Sequence, residues 1–328
     1  MSSDDKLSAE DRLIADFFKP IATHPGALAL TDDAAFLTPA PGTDVVLKTD
    51  AIIGGVHFFP EDDAADVARK ALRVNLSDLA AKGATPLGFL VSLVLPKDIG
   101  ADWLKRFALG LREDAEAYQC PLFGGDTDRT PGPVMVSVSM FGSVPSGAMV
   151  RRAGAKPGHR VFVTGTIGDA ALGLVLRQNA SWNLTAAQRD HLLSRYLLPQ
   201  PRNALADAVR AYASAAMDVS DGLAGDLTKL CRVSGVAARI DVGTVPLSDA
   251  ARAAVAADPA MRETALTGGD DFEVLCTVPE PLVAAFRAAA AAARVPVTDI
   301  GAVEAGEGAR FFDRGGELSF KRLSFSHF

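Results

Sequence analysis

Asn75-Leu76-Ser77-Asp78-Leu79-Ala80-Ala81-Lys82-Gly83 closes a run from Ala64 that reads as one amphipathic helix. Ala68, Leu72, Leu76 and Leu79 recur at three- and four-residue spacing and form an apolar stripe. Gly83 supplies a C-terminal stop, and Lys82 in the last turn suits the helix dipole. Asn75 and Asp78 lie three apart and share a face bordering the stripe, since Asp78 follows Val74 by four residues. A carboxylate at the rim of a core helix needs a partner, because burying it alone is costly. For a single Asp, a salt bridge to Arg69, Lys70 or Arg73 is the better reading. Asp78 has company, however, because acidic groups follow apolar runs elsewhere along the chain.

Outward from this helix, strands and helices mix in both halves. Leu7 to Phe18 predicts a first helix ended by Pro20, and Asp44 to Thr49 has strand character. Gly88 to Leu95 reads as a buried strand between two prolines, Asp102 to Tyr118 as a helix, and Val134 to Phe141 as a strand with one apolar face. Pro145 to Gly158 is rich in Gly and Pro and carries Arg151, Arg152 and Lys156, so the domain boundary falls there. The expected domains are 1–148 and 149–328. In the second, Val161–Thr164, Ala237–Val242 and Phe272–Val278 read as strands. Thr185–Tyr196, Asn203–Tyr212, a segment ending near Val233, Ser248–Ala257 and Pro281–Arg294 read as helices, and short strands follow near Val297 and Arg310. The class is α/β or α+β, without a clean βαβαβ series.

The 328 residues suffice for two domains, and 48% are hydrophobic, enough for a sizeable core. A net charge of −7 argues against a general nucleic-acid binder. Three cysteines, at 120, 231 and 276, form neither a disulfide framework nor a zinc spacing, and suit a reducing compartment. The polar N-terminus lacks an apolar signal core, and the longest apolar run, Pro86 to Pro96, is too short for a bilayer. The expectation is a soluble cytoplasmic protein.

The acidic groups are Asp32-Asp33, Asp50, Asp78, Asp126/Asp128, Asp218/Asp221 and Asp270-Asp271. Each alone reads as a turn or cap residue. Their number and their shared setting at the ends of apolar runs favour chemistry. Oxygen ligands without Cys/His clusters suit Mg²⁺ or Mn²⁺, and carboxylate-held ions of this kind mostly bridge phosphates. Counted from Asp126, a calcium loop fails, because its sixth position is Pro131. Glycine pairs at Gly54-Gly55, Gly124-Gly125 and Gly268-Gly269 are tight turns or places where backbone N–H groups approach an anion. Walker A, G-x-G-x-x-G, kinase catalytic-loop, H-E-x-x-H and G-x-S-x-G motifs are all missing from the sequence.

Several stretches in order resemble the thiamine-monophosphate kinase family, within the superfamily of aminoimidazole ribonucleotide synthetase. They are Thr49-Asp50 through Gly55-Val56-His57-Phe58, Ala71 through Gly83, Gly124-Gly125-Asp126-Thr127, Arg152 through Gly158, Asp218-Val219-Ser220-Asp221-Gly222-Leu223 and Gly268-Gly269-Asp270-Asp271-Phe272-Glu273. The likeness runs from Asp32-Asp33-Ala34 to His327-Phe328. It implies a two-domain α/β (α+β) protein of the aminoimidazole ribonucleotide synthetase-like fold. The N-terminal domain would bind ATP and metal and form a dimer barrel, and the C-terminal α/β domain would complete the active site. The implied reaction is direct, Mg²⁺-assisted transfer from ATP to thiamine monophosphate, giving thiamine diphosphate. By motif, Asp33, Thr49, Asp50, Asp78, Asp126, Asp218 and Asp221 would hold several Mg²⁺ ions. Gly125, Asp126, Arg152 and Ser220 would touch ATP, and His57 and Asp270 would touch thiamine monophosphate. No general base is expected.

Four positions depart from the family pattern. Thr31 precedes the acid pair where the family has Gly. Lys48 stands where Ser or Thr lies beside a metal, so its ammonium replaces an ion or points away. Asp270 replaces Glu. Arg322 stands where an aromatic packs on substrate, leaving Phe320 or Phe325 as substitutes. The competing readings are another ATP-dependent enzyme of the superfamily and a non-catalytic nucleotide or thiamine-phosphate sensor. The reactive N-terminal Cys of selenide chemistry and the C-terminal Cys of hydrogenase maturation have no counterpart, as the first Cys is Cys120 and the chain ends in His327-Phe328.

Overall fold

The computed structural model describes residues 12–178, 180–314 and 316–325. Residues 7–11 of the first expected helix, and the terminal His327-Phe328, lie outside them. Within them, Ile14–Phe18 is a π-helical turn, and Pro20 sits inside a 3₁₀ turn, Lys19–Ile21. The chain divides into two compact units. One runs to Leu76 and resumes over Thr85–Gly147, and the other takes Ser77–Ala84 together with Ala148 onward.

In the first unit, four strands lie in the order β1 (Thr43–Ile53), β4 (Met135–Pro145), β2 (Thr85–Pro96) and β3 (Leu122–Thr130). β4 is antiparallel to β1 and β2, whereas β2 and β3 are parallel. A parallel pair needs a long crossover, and helix α2 (Ala101–Ala117) supplies it. The residue pattern predicts no element for Gly124–Arg129, because glycines and acids disguise β3. Alternation along the strands sends Phe89, Val91, Val136, Val138 and Met140 to one buried face. Helix α1 (Ala64–Ala81) packs closely on α2: a Cβ at Gly110 would meet the Ala65 carbonyl oxygen at 2.2 Å. Arg73 clasps the buried Asp114 through two bonds of 2.6 and 2.9 Å, and Arg69 bonds Asp66 and Glu113.

α1 stops where its sequence says it should. Gly83 takes φ +67, and Ala84 N–H bonds Leu79 O at 2.9 Å. Any other residue at 83 would also press on Arg210, whose Cβ lies 2.8 Å from the ideal Cβ position.

The second unit holds a seven-stranded mixed sheet in the order β11 (Gly316–Leu318), β10 (Gly308–Asp313), β7 (Ala237–Asp241), β9 (Val297–Glu304), β5 (His159–Thr164), β8 (Val274–Pro279) and β6 (Ala215–Asp218). Only the β7–β10 pair is parallel. The central β5 and β8 are buried on both faces, which explains their continuous apolar runs. Val161, Val163 and Met217 join a core with Leu223, Leu227 and Leu230 of α6 (Leu223–Ser234). Phe162 and Ala216 join another with Val209 of α5 (Ala206–Tyr212), Phe286 of α9 (Val283–Ala292), and Ala80 and Ala81 at the end of α1. Helices α3 (Asp169–Arg177), α4 (Ala186–Leu197), α7 (Asp249–Ala257) and α8 (Met261–Thr267) share a third cluster around Leu172, Leu192 and Ala265. α8 has no counterpart among the predicted elements; seven residues are too short a window for helical periodicity.

Candidate active site

The first unit carries a cleft of about 610 Å³ on the sheet face opposite its helices. Asp32, Asp33 and Phe36 form one wall, and Leu90, Ser92, Gly124, Gly125, Asp126 and Ser139 the other. The parallel register sets Ser92 beside Asp126 and Val91 beside Gly125. Gly125 is there because the strands approach closely: a Cβ would meet Val91 O at 1.8 Å. Gly124 is less constrained, its nearest neighbour being Leu90 Cδ2 at 3.4 Å. The cleft thus gathers Asp33, Gly125 and Asp126 from stretches about ninety residues apart in sequence. Asp32 Oδ1 accepts the Asp33 N–H at 2.8 Å and so orients the acid pair.

β1 splits its two candidates. Thr49 is level with Ser139 on the cleft face, and its hydroxyl donates to Val138 O at 3.0 Å. Asp50, one residue on, faces the other way and pairs with Lys48, Nζ to Oδ2 being 3.1 Å. Of the two readings open for Lys48, the structure gives an ammonium beside a candidate metal carboxylate. His57 lies in the turn that follows β1. Its Nδ1 accepts the Ile53 N–H at 3.0 Å, so a neutral ring carries its proton on Nε2. Gly54 and Gly55 donate to Val134 O and Phe58 O, and Gly55 has φ +78. That pair is a turn, and its N–H groups are used within it.

In the second unit, two loops are bonded together at one end of the sheet. Val219 N–H donates to Glu273 O and Phe272 N–H to Val219 O, each at 2.8 Å, and Asp270 N–H to Ser220 O at 2.9 Å. Gly269 makes this contact possible, because a Cβ there would meet Ser220 O at 2.4 Å. Asp218, Ser220, Asp221 and Asp270 are therefore neighbours. Asp270 and Phe272 have φ +73 and +51, the left-handed region that costs about 1–3 kcal/mol for a non-glycine residue. Such strain persists only where the surroundings over-determine it.

Those surroundings are a frame of buried charge that the sequence reading did not assign. Glu273 is fully buried. Arg202 reaches it through Nε and a terminal nitrogen at 2.6 and 2.5 Å, Arg195 at 2.8 Å and the Thr164 hydroxyl at 2.6 Å. Asp271 accepts the Gly168 N–H at 2.7 Å before α3, and burial pushes its pKa well above the usual carboxylate range. Asp226 Oδ2 accepts the N–H groups of Ser220 and Asp221 at 3.0 and 2.9 Å. Its other oxygen meets Lys229 Nζ at 2.8 Å, and Lys229 also reaches Asp221 Oδ2 at 2.5 Å. Burial opposes the Lys229 charge, but the two carboxylates outweigh it and raise its pKa. The Asp226/Lys229 spacing of three on α6 was the available signal.

The remaining candidates are placed less centrally. Asp78 lies on the last turns of α1, one residue after Ser77, whose hydroxyl donates to Phe272 O at 3.3 Å. Arg152 is exposed, and its carbonyl accepts from Ser234, at the opposite end of α6 from Asp221. Phe320 packs edge-on against Phe311 in the core, whereas Phe325 is 51% exposed and its N–H bonds Asp221 O at 3.0 Å.

These donors are hard oxygens, the set that Mg²⁺ takes. Among the described residues, no three His, Cys, Asp or Glu side chains gather into a cage. Mg²⁺ bound to a nucleotide needs none, since waters and phosphates fill most of its shell beside one or two carboxylates.

Two family models match: AIR synthase related protein, N-terminal domain, over residues 31–144, and AIR synthase related protein, C-terminal domain, over residues 156–314. The thiamine-monophosphate kinase of Caulobacter vibrioides is 42% identical over 318 residues, 96% of this chain and 89% of its own length. The crystal structure of thiamine-monophosphate kinase from Stenotrophomonas maltophilia K279a superposes with a TM-score of 0.83 at 36% identity, covering 95% of this chain and 98% of that one. A structure of AaThiL complexed with AMPPCP and TMP gives a TM-score of 0.77 at 33% identity, covering 90% and 91%.

Proposed function

The chain belongs to the thiamine-monophosphate kinase family, and we infer from this how its residues divide the work. It is a kinase that phosphorylates thiamine monophosphate at the expense of ATP. The AaThiL complex holds an ATP analogue together with TMP, the pair of ligands that such a transfer requires.

We assign Gly125 and Asp126, with Arg152 and Ser220, to ATP, and His57 and Asp270 to thiamine monophosphate. Asp33, Thr49, Asp50, Asp78, Asp126, Asp218 and Asp221 would hold Mg²⁺, which would neutralise the charge of two mutually repelling phosphates. The observation that carries the assignment to residues is the cleft that brings Asp33 to Gly125 and Asp126. The acceptor phosphate needs no general base, since its second pKa is about 6 and its oxygen is already ionised near neutral pH. The chain's own task is positioning: the bonded loops hold Ser220, Asp221 and Asp270 in place, and His57 offers an Nε2–H donor. The exposed Phe325 beside Asp221 is the aromatic suited to pack on the thiamine rings.

We further propose a homodimer whose copies cover the open face of the first sheet, where Leu47 is 72% exposed and Val45 and Leu90 accompany it. A cytoplasmic setting agrees with three buried free thiols. No helix among the described residues is long and apolar enough to cross a membrane. The domains would be 1–148 for ATP, metal and dimerisation and 149–328 for the rest of the chemistry.

The test is a product assay with ATP, Mg²⁺ and thiamine monophosphate, the thiamine phosphates being separated by chromatography. Thiamine diphosphate should form only with nucleotide and metal. Asp126→Asn should cut turnover on the order of 100-fold with the fold intact, because it deletes a charge from an exposed strand position and little volume. Near wild-type turnover at saturating Mg²⁺ would remove Asp126 from the metal set.

A further inference from the structure

Two carboxylates of the proposed Mg²⁺ set already carry a cation that the chain itself supplies. In the first unit, Lys48 Nζ lies 3.1 Å from Asp50 Oδ2, and alternation along β1 puts both side chains on one face. In the second, Lys229 Nζ lies 2.5 Å from Asp221 Oδ2 and 2.8 Å from Asp226 Oδ1. Asp226 is fully buried, and its second oxygen holds the Ser220 and Asp221 N–H groups. Lys229 is therefore anchored to a group that cannot shift without undoing the turn that carries Asp221. An ammonium at such distances stands where a divalent ion would approach the same oxygen, and its like charge opposes that approach.

We propose that Lys48 and Lys229 are built-in counter-cations. Each holds its carboxylate in place while lowering that carboxylate's affinity for a divalent ion in the absence of nucleotide. Metal then enters these positions together with the phosphates of ATP, whose charge favours the ion over the ammonium, rather than ahead of them. The inference rests on the Mg²⁺ assignment above and adds the order of loading.

The experiment uses the full chain and Mn²⁺ as probe, with free Mn²⁺ read by electron paramagnetic resonance. Lys48→Met and Lys229→Met should each bind Mn²⁺ more tightly without nucleotide, on the order of tenfold at one site, since a unit charge a few ångströms away has been removed. Lys48→Arg and Lys229→Arg, which keep the charge, should titrate as wild type. The gain should shrink when AMPPCP is present. Titration of both Met variants as wild type overturns the proposal. Weaker Mn²⁺ binding by a folded Lys229→Met overturns it too, because Lys229 would then only support the turn. Lys48 sits on an edge strand of the other unit and keeps the test decisive if Lys229→Met does not fold. Wild-type protein that takes up no Mn²⁺, with or without AMPPCP, removes the metal assignment itself, and the inference falls with it.

Discussion

Glu273→Gln probes whether buried charge holds the strained Gly268–Phe272 loop. Four donors converge on the Glu273 carboxylate: the Thr164 hydroxyl and Arg202 Nε on one oxygen, and terminal nitrogens of Arg195 and Arg202 on the other. Glutamine keeps the volume but turns one oxygen into a second donor group. Whichever way the amide faces, two of the four donors lose their acceptor. Thr164 already accepts the Val274 N–H at 2.8 Å and could accept the amide through its second lone pair, but its own O–H would then lose the acceptor that Glu273 provides. Two guanidinium groups also lose their counter-charge in a site where Glu273 is fully buried. Breaking a buried pair by removing one partner costs about 3–5 kcal/mol. At about 2–4 °C per kcal/mol for a unit of this size, the melting temperature should fall by about 10 °C. Scanning calorimetry would read the shift. Kinetics on the folded variant at 25 °C should show a raised KM for thiamine monophosphate, because the loop that carries Asp270 is loosened. Adding Arg202→Met should recover at least about 1 kcal/mol relative to additivity, by removing an orphaned charge. A Glu273→Gln melting temperature within about 2 °C of wild type would refute the reasoning.

The glycine pair in the cleft should behave asymmetrically. Gly125→Ala forces a Cβ against Val91 O and should cost about 3 kcal/mol and most of the nucleotide affinity, whereas Gly124→Ala should be tolerated; equal melting curves would contradict the register. The three thiols should resist iodoacetamide at pH 8 in the folded protein and react once it is unfolded, since burial pushes Cys120 and Cys276 to about 12 and Cys231 to about 11. Raised folded values mean that this stability is complete below the unfolded thiol value of about 8.5 and is lost as pH rises from there through 11–12. Labelling of the native protein at pH 8 would contradict the burial.

Elements with long, periodic patterns were legible from sequence: α1, α2 and the buried strands appear within a few residues of their predicted bounds. Short or disguised elements were not. β3 carries Gly124-Gly125-Asp126, residues that read as a turn, and becomes a strand only because β2 offers it a parallel partner. Of the acidic stretches, the cleft gathers Asp32, Asp33 and Asp126 beside Gly125. What the sequence hid was the division of labour among the acids. Asp270 and Asp271 are adjacent, yet one sits in a strained turn beside Ser220 and the other is sealed under the first turn of α3. The difference lies in long-range bonds to Asp271, from the Gly168 N–H to its carboxylate and from Arg195 to its carbonyl, that no local pattern contains.

That division follows from a physical conflict within one site. A carboxylate that is to meet a cation or a phosphorylated substrate must keep an oxygen near solvent, and a near-solvent loop has few contacts to hold it. On the proposed assignment, Asp221 and Asp270 are in that position. Asp226, Asp271 and Glu273 resolve the conflict by spending their oxygens on backbone N–H groups and basic side chains inside the fold. A buried carboxylate with both oxygens engaged is a poor metal ligand, and for that reason a good strut. Substituting the struts should therefore disturb stability and substrate affinity together. Substituting Asp126, which is exposed on β3, should disturb turnover and the binding of nucleotide and metal while leaving stability unchanged. The two outcomes separate residues that act on the reactants from residues that act through the loops carrying them.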